Sequence, residues 1–333
     1  MTEQQLPPEM LQLAKMLTEA MKQQAQTTPT DEWQIASEPM KKPLEENTSE
    51  LEKFVLTPTL NPEVNGKNLT GLETGTFLDT LFLTEKQQPL NAIPLCSQVA
   101  ITGLSGSGKS ILAEETAIRV ASKGKHVLYV TGEDIWKAET PRLDLQSRLI
   151  QKAKVLGIDW NTIQPNLFVL DTVKFPELRE WKTFAEAYRY ASEKHKIDLC
   201  LIDSVTVLET SRWQLKYRII ELIRYNQING ITAIFINQRS EEKDDISGMS
   251  GGYGLDYQYD TTIVIDFCRT NAWTPKQMLE ELSVDKGDFV RYARVLDSRL
   301  CGYNRNYKLL EITNDGFIKL ANGTPLFSTQ NSN

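Results

Sequence analysis

The sequence contains few of the residues that bind structural metals or form disulfides. Four cysteines and two histidines occur among 333 residues, and no two cysteines form a CxxC pair. Structural zinc sites and disulfide frameworks need such residues in closely spaced sets. We therefore expect neither, and we expect the cysteines to be small core residues. The residues concerned are Cys96, Cys200, Cys268 and Cys301, with His126 and His195.

Long hydrophobic runs are also missing. No apolar stretch approaches the roughly 20 residues that a bilayer-spanning helix needs. The chain begins with no charged segment followed by an apolar one, the pattern of a secretory leader. The expectation is a cytoplasmic protein with no membrane association.

A large excess of positive charge is absent as well. The net charge is −7, and the first 53 residues, with ten acidic side chains and five lysines, carry −5 of it. The rest of the chain is therefore close to neutral. Proteins that hold nucleic acid through its phosphates usually present a basic face. DNA as a partner is left uncertain, because a local basic groove is compatible with this balance.

The N-terminal segment differs in composition from the rest. Residues 1–60 are rich in Gln, Glu, Thr and Pro, which predicts an acidic and largely disordered arm. Between Met10 and Met21 apolar residues recur at helical spacing, which indicates a short amphipathic helix. We expect this helix either to pack on its own core or to fray, or else to dock onto a neighbouring subunit or a protein partner. Residues 61–325 are predicted to form one domain, followed by a disordered tail at 326–333.

Strand and helix patterns alternate from Thr70 onward. Predicted strands lie at 99–103, 126–132, 167–170, 199–203 and 232–237, and predicted helices at 109–122, 141–156, 177–194 and 212–229. Such alternation predicts an α/β fold with a mostly parallel sheet flanked by helices on both faces. Strand-like segments at 260–267, 289–299, 307–313 and 317–320 predict an antiparallel β extension at the C-terminal end, closed by an Asn-Asp-Gly turn.

The most informative motif is GxxxxGKS, which reads Gly103-Leu-Ser-Gly-Ser-Gly-Lys-Ser110 and lies between a predicted strand and a predicted helix. In that context successive backbone N–H groups and the helix dipole favour binding of a phosphate group. The alternative without a function in binding is a flexible Gly/Ser loop. Lys109 would reach the β- and γ-phosphates and Ser110 would ligate Mg²⁺, so the predicted cofactors are ATP and Mg²⁺. The predicted nucleotide-binding residues are Gly103, Ser105, Gly106, Ser107, Gly108, Lys109, Ser110 and Ile111.

Two acidic residues follow predicted strands. Asp203 ends the apolar run 199–203, as in a Walker B strand, and would hold Mg²⁺ through water. Glu133 follows the strand 126–132 and would activate water, unless it only caps a helix beginning near Ile135. Parallel strands deliver their carboxyl ends to one edge of a sheet. We therefore expect Lys109, Glu133 and Asp203 to converge beside the γ-phosphate.

Four segments together resemble the RecA superfamily, nearest to its KaiC and RadA branches. They are Gly103-Leu-Ser-Gly-Ser-Gly-Lys-Ser110, Leu128-Tyr-Val-Thr-Gly-Glu-Asp134, Leu201-Ile-Asp-Ser204 and Ile234-Phe-Ile-Asn-Gln238, and the likeness extends from about Leu69 to Leu320. The resemblance implies a RecA-like fold and a P-loop ATPase, a hydrolase that converts ATP and water to ADP and phosphate. It also implies a homo-oligomeric ring or filament with nucleotide at the subunit interfaces.

The resemblance also implies individual roles. The residue matching Glu133 activates water, the one matching Gln238 senses the γ-phosphate, and a basic residue on a late strand reaches the nucleotide of the next subunit. Arg299 is the candidate for this arginine finger and Arg294 the second choice, although Asp297 stands where the RadA pattern has a lysine. The alternative without a catalytic role is that Arg299 is a surface cation at the end of a strand.

Several functions remain open from the sequence. The leading one is a nucleotide-driven switch or motor, and the alternatives are a repair ATPase stimulated by single-stranded DNA and a slow-turnover regulatory scaffold. The glycine-rich segment 239–257 matches the region that contacts DNA or another substrate in RecA relatives, but its charges are mixed. A small-molecule kinase is disfavoured, because no arginine-rich lid is evident.

Overall fold

The computed structural model describes residues 69–208, 212–239 and 258–321, all of which belong to one compact unit, Lys67–Asn333. The predicted arm with its amphipathic helix, the predicted tail and residues 240–257 lie outside the described residues. Among the helices that are described, none combines the length and the apolar character needed to cross a membrane.

A nine-stranded sheet organises the part of the chain that the structure describes. In chain order the strands are β1 (Gly71–Leu72), β2 (Phe82–Leu83), β3 (Ile93–Pro94), β4 (Gln98–Gly103), β5 (Val127–Thr131), β6 (Leu167–Asp171), β7 (Leu199–Asp203), β8 (Thr232–Gln238), β9 (Thr261–Arg269), β10 (Phe289–Ser298), β11 (Gly302–Tyr303), β12 (Lys308–Ile312) and β13 (Ile318–Leu320). The large sheet has the order β13-β12-β10-β9-β4-β8-β7-β5-β6, and β1 with β3 and β2 with β11 form small separate pairs.

The large sheet is parallel from β9 through β4, β8, β7 and β5 to β6, and antiparallel from β9 outward through β10, β12 and β13. This confirms the predicted α/β fold, with a mostly parallel sheet and an antiparallel C-terminal extension. β4 lies between β8 and β9, so the residues that follow β4 emerge near the middle of the sheet edge.

Helices cover both faces of the sheet. They are α1 (Lys109–Ser122), α2 (Leu145–Val155), α3 (Trp160–Ile163), α4 (Trp181–His195), α5 (Arg212–Asn229) and α6 (Lys276–Leu282). Alternate residues of β4 point to opposite faces, as the two-residue period of a strand requires. Val99 and Ile101 join the core with α1 and α2, whereas Ala100 joins the core with α4 and α5.

Some element boundaries differ from the sequence prediction. The helix predicted over 141–156 begins at Leu145, because the Asp144 side chain accepts a hydrogen bond from the backbone N–H of Ser147 at 2.7 Å and caps the helix there. The helix predicted over 177–194 begins at Trp181, after a 3₁₀ turn over Pro176–Arg179. The short elements α3, α6 and the two-stranded pairs were not predicted, because a few residues carry little periodic signal.

The C-terminal hairpin packs beside the glycine-rich turn. The Asn-Asp-Gly segment connects β12 to β13, and Gly316 takes a positive φ of 77° in this turn. Ile312 and Ile318 of the hairpin face Gly108, where an added Cβ would lie 2.9 Å from Ile318 Cδ1. The antiparallel extension therefore forms one wall of the turn between β4 and α1.

Candidate functional site

The segment Gly103–Ser110 forms the turn from β4 into α1, where the sequence predicts the phosphate site. Gly103 has a φ of 155°, and a Cβ there would lie 1.8 Å from the backbone oxygen of Ile265. Gly106 and Gly108 also take positive φ values, 77° and 105°. Glycine is required at these positions by backbone conformation and close approach. The turn thus has the tight backbone geometry that fits a bound phosphate.

Lys109 begins α1 and is buried against the turn. Its Nζ donates hydrogen bonds to the backbone oxygens of Gly103 at 2.8 Å and Leu104 at 2.7 Å, and to Ser107 Oγ at 3.2 Å. Burial lowers the pKa of Lys109 to about 8, against the opposing influence of nearby carboxylates, of which Asp266 is the strongest. The ammonium group therefore lies beside the turn, where a phosphate oxygen would compete with backbone oxygens for it.

Ser110 and Asp203, the two predicted magnesium ligands, are brought into contact. Ser110 Oγ donates to Asp203 Oδ1 at 3.2 Å, and the buried Tyr129 donates from its hydroxyl to Asp203 Oδ2 at 2.9 Å. Burial raises the pKa of Asp203 to about 6, and these two hydrogen bonds oppose the rise. A hydroxyl beside a carboxylate is the kind of oxygen donor set that fits Mg²⁺.

Glu133 lies at the same edge of the sheet and is exposed. Its Oε1 accepts hydrogen bonds from Gln238 Nε2 at 2.9 Å and from Ser204 Oγ at 3.1 Å. β5, β7 and β8 are adjacent and parallel, which is why residues at or just after their ends meet here. No helix begins near Ile135 in this described segment, since the next helix is α2. The alternative in which Glu133 caps a helix at that point is therefore wrong.

A buried ion pair behind the turn was missed by the sequence analysis. Arg239, assigned there to the glycine-rich segment, lies 2.6 Å from Asp266 through its Nη2 atom, and the Asp266 side chain has no exposed surface. The backbone N–H of Arg239 donates to the backbone oxygen of Gly103 at 3.1 Å. The sequence feature that indicates this pair is Asp266 itself, the one carboxylate within the apolar run of β9.

A second cation at the turn was also missed. Arg291 on β10 donates from Nη1 to the backbone oxygen of Gly106 at 2.9 Å, and its guanidinium lies 5.5 Å from the centre of the Phe267 ring. Arg294, the second choice for the arginine finger, instead donates to the Tyr307 hydroxyl at 2.9 Å and stacks over that ring. Arg291 reaches the turn because β10 is antiparallel to β9 and starts at the edge where the turn lies.

Arg299 lies at the opposite edge of the sheet. Its backbone N–H donates to the oxygen of Asp260 at 2.9 Å, and Asp260 in turn donates to the oxygen of Gln98, the first residue of β4. Gly103 ends β4, and five residues of strand span about 16 Å at roughly 3.3 Å each. The structure therefore brings together Lys109, Ser110, Glu133, Asp203 and Gln238, and it does not bring Arg299 to them.

Comparison with known protein families identifies the family to which this chain belongs. The sequence model of the ATPase family described as KaiC matches residues 72–323, which is most of the chain. The chain belongs to the KaiC ATPase family. It is therefore a KaiC-like ATPase domain within the RecA-like P-loop superfamily, and members of this family typically bind ATP with Mg²⁺.

A solved structure supports the fold of this KaiC-family chain. The crystal structure of the KaiC-like protein PH0186 from the hyperthermophilic archaeon Pyrococcus horikoshii OT3 is similar, with 15% sequence identity and a TM-score of 0.55. The match covers 76% of this chain and 99% of that one. At this level of identity the likeness shows a shared fold. No curated protein matches the chain with significance.

Proposed function

We propose that this chain binds Mg·ATP at the turn between β4 and α1 and hydrolyses it, acting as an oligomeric switch or motor. The observation that carries the proposal is the position of Glu133. Its carboxylate is exposed, is held by Gln238 at 2.9 Å and Ser204 at 3.1 Å, and lies at the edge where Asp203 ends β7. A carboxylate oriented beside a phosphate site is the arrangement that activates water for hydrolysis.

The binding part of the proposal rests on the turn itself. The backbone N–H groups of residues 103–110 and the ammonium of Lys109 hold the phosphates, while Ser110 and Asp203 hold Mg²⁺. When bound, Mg²⁺ supplies positive charge that offsets the negative charge developing on the phosphoryl oxygens. Lys109 exchanges its present backbone acceptors, among them the oxygens of Gly103 and Leu104, for phosphate oxygens.

The hydrolytic part rests on the two donors to Glu133. Both bind the same oxygen, Oε1, so they fix the plane of the carboxylate while Oε2 can accept a proton from water. Gln238 ends β8, next to the strand that ends at Asp203, so its amide lies at the sheet edge where we propose that the γ-phosphate binds. We assign Gln238 the sensing role, in which it moves between Glu133 and a phosphate oxygen.

The oligomeric part rests on the separation of Arg299 from the turn. A strand span of about 16 Å exceeds the reach of an arginine side chain, so Arg299 does not act on the nucleotide of its own chain. Acting from a neighbouring subunit, it would stabilise charge that develops during phosphoryl transfer and make turnover depend on assembly. The lysine of the RadA pattern is replaced here by Asp297, so we propose a single-cation finger.

The experiment compares wild type, Glu133→Gln and Glu139→Gln, an exposed glutamate in the same segment. ATP turnover and the affinity for a fluorescent ATP analogue are measured with the full chain. We expect Glu133→Gln to bind nucleotide normally with turnover reduced by about 100-fold or more, and Glu139→Gln to match wild type. Unchanged turnover in Glu133→Gln contradicts the proposal.

Two further measurements separate the alternatives left open by the sequence. Strong stimulation of turnover by single-stranded DNA favours a repair ATPase. Nucleotide-dependent assembly in light scattering, with very slow turnover and no response to DNA, favours a regulatory scaffold. A monomer that hydrolyses ATP at the full rate excludes the assembly-dependent arginine finger.

A further inference from the structure

Arg148 on α2 bridges two carboxylates that belong to different elements. Its Nη2 lies 2.8 Å from Glu114 Oε1 on α1 and 2.7 Å from Asp134 Oδ2 in the segment that follows β5. The Arg148 side chain is 26% exposed and that of Glu114 is 6% exposed. The pair with Glu114 is therefore screened less by solvent than a surface ion pair, whereas the pair with Asp134, whose side chain is 34% exposed, is screened more.

The two carboxylates stand next to residues of the proposed mechanism. Asp134 follows Glu133 directly, and Glu114 lies one helical turn after Ser110 on α1. Residues four apart share one face of a helix. The bridge therefore connects the neighbour of the proposed water-activating residue to the helix that carries the proposed magnesium ligand.

We infer that Arg148 is a positioning residue, which holds the segment carrying Glu133 at a fixed place relative to the helix that follows the phosphate-binding turn. This inference rests on the proposed function. Other contacts tie the same segment to the sheet: Thr131 Oγ1 donates to the backbone oxygen of Asp134 at 2.6 Å, and the Trp136 N–H donates to Asp171 Oδ2 at 2.7 Å. Arg148 adds the link to α1.

The geometry of the reaction explains why this link matters. Water activation needs Glu133 at hydrogen-bond distance from a water that is itself aligned with the γ-phosphate, whose position is set by α1 and the preceding turn. A displacement of about 1 Å between such groups lowers turnover by roughly 100-fold. ATP affinity depends on the turn, Lys109, Ser110 and Asp203, so a shift of Glu133 leaves it largely unchanged.

Two neighbouring cations provide matched controls. Lys152 Nζ lies 2.7 Å from Glu114 Oε2, and Arg142 Nη2 lies 3.4 Å from Asp134 Oδ1. Each shares one carboxylate with Arg148, and in these pairs each contacts a single end of the bridge. A role limited to neutralising Glu114 predicts similar losses for Arg148 and Lys152, whereas a positioning role singles out Arg148. Arg142, whose side chain is 66% exposed, should contribute little in either case.

The experiment measures kcat, the KM for ATP and the melting temperature for Arg148→Gln, Arg142→Gln and Lys152→Gln in the full chain. We expect Arg148→Gln to lower kcat by about 10- to 100-fold while KM stays within about 3-fold. Arg142→Gln should keep the wild-type kcat. Lys152→Gln should lower the melting temperature and keep kcat, because it leaves the link to Asp134 in place.

A further pair of variants keeps the test decisive if Arg148→Gln is unstable. Asp134→Ala removes one end of the bridge, the acceptor as well as the charge, and leaves Glu114 its partners Arg148 and Lys152. It should lower kcat as Arg148→Gln does, and the double variant should be no slower than either single one.

The inference is overturned if Arg148→Gln and Asp134→Ala both keep kcat within about 2-fold of wild type, or if kcat falls equally in Arg148→Gln and Lys152→Gln. These outcomes leave the proposed function standing as long as Glu133→Gln is inactive. Full activity of Glu133→Gln removes the proposed function itself.

Discussion

Gln238 and Glu133 are joined by a hydrogen bond of 2.9 Å from Nε2 to Oε1, although they are 105 positions apart in the chain. β8 and β5 both pair with β7, so the ends of these strands lie near one another at the same edge. The pair connects the residue proposed to sense the γ-phosphate with the residue proposed to activate water. The proposed function therefore implies that phosphate occupancy and the orientation of Glu133 are coupled through this one amide.

Gln238→Ala tests this coupling. Loss of the amide removes one of the two donors that hold Glu133 Oε1, so we expect kcat to fall by about 10- to 100-fold with ATP affinity nearly unchanged. Steady-state turnover and nucleotide titration measure the two effects. Gln151→Ala, at an exposed position of α2, is the control and should behave as wild type. A tenfold loss of ATP affinity in Gln238→Ala would place the residue in binding instead.

Asp203→Asn tests how much free energy of unfolding is lost when the Asp203 carboxylate ionises in the folded protein. The pKa of Asp203 is raised from 3.8 to about 6, chiefly by burial. The folded protein therefore favours the protonated form of Asp203. This adds to the free energy of unfolding below pH 3.8, and the added stability is lost as pH rises through about 6. Without nucleotide or Mg²⁺, the free energy of unfolding of the variant relative to wild type should therefore be higher at pH 8 than at pH 5 by roughly 1 kcal/mol. Comparing the two pH values cancels the cost of the hydrogen bond that the amide can no longer accept from Tyr129 or Ser110.

Urea unfolding at the two pH values measures this difference. An equal difference in unfolding free energy between variant and wild type at pH 8 and pH 5 would mean that ionisation of Asp203 does not destabilise the folded protein. The same variant should also lose Mg²⁺-dependent turnover, because an amide replaces the carboxylate that we propose holds Mg²⁺.

Mixing two inactive variants tests the arginine finger. Arg299→Ala lacks the finger but keeps Glu133, whereas Glu133→Gln lacks the base but keeps Arg299. In an equimolar mixed assembly about a quarter of the interfaces combine an intact base with an intact finger, so turnover should recover to about that fraction of wild type. Arg305→Ala, at an exposed position, should be active alone. Absence of recovery in mixtures shown to co-assemble contradicts action between subunits.

Tyr188→Phe tests a buried polar chain far from the site. The Tyr188 hydroxyl donates to Asn226 Oδ1 at 2.7 Å, and Asn226 Nδ2 donates to Gln98 Oε1 at 3.0 Å, all beneath α4 and α5. Removing the hydroxyl leaves a buried acceptor unpaired, which costs about 1–3 kcal/mol. Urea unfolding should show this loss with kcat unchanged. Tyr190→Phe, on the same helix but 62% exposed, should lose far less.

The fold and the centre of the site were predictable because their signals are local. The turn Gly103–Ser110 carries its own backbone requirements, and the apolar run ending at Asp203 needs no partner to be recognised as a buried strand. Once parallel strands are assumed, convergence of Lys109, Glu133 and Asp203 follows from topology. The hydrogen bonds of Gln238 and Ser204 to Glu133 do not follow, because they depend on the register between neighbouring strands.

The ion pairs around the site were not predictable for the same reason. Asp266 and Arg239 meet because β9 and β8 lie on either side of β4, an order that strand patterns do not reveal. Arg148 reaches Glu114 and Asp134 because α2 packs along α1. Each of these side chains taken alone is compatible with a solvated surface position.

The sequence alone determined that this chain forms a mostly parallel α/β sheet with a tight glycine-rich turn after one strand, because glycine placement and the period of apolar residues act over a few neighbouring residues. Only the tertiary structure decided which cations and carboxylates share the site and that Arg299 lies at the far edge. The physical reason is that charge pairing acts through space, and strand order and register bring together residues separated by tens to more than a hundred positions.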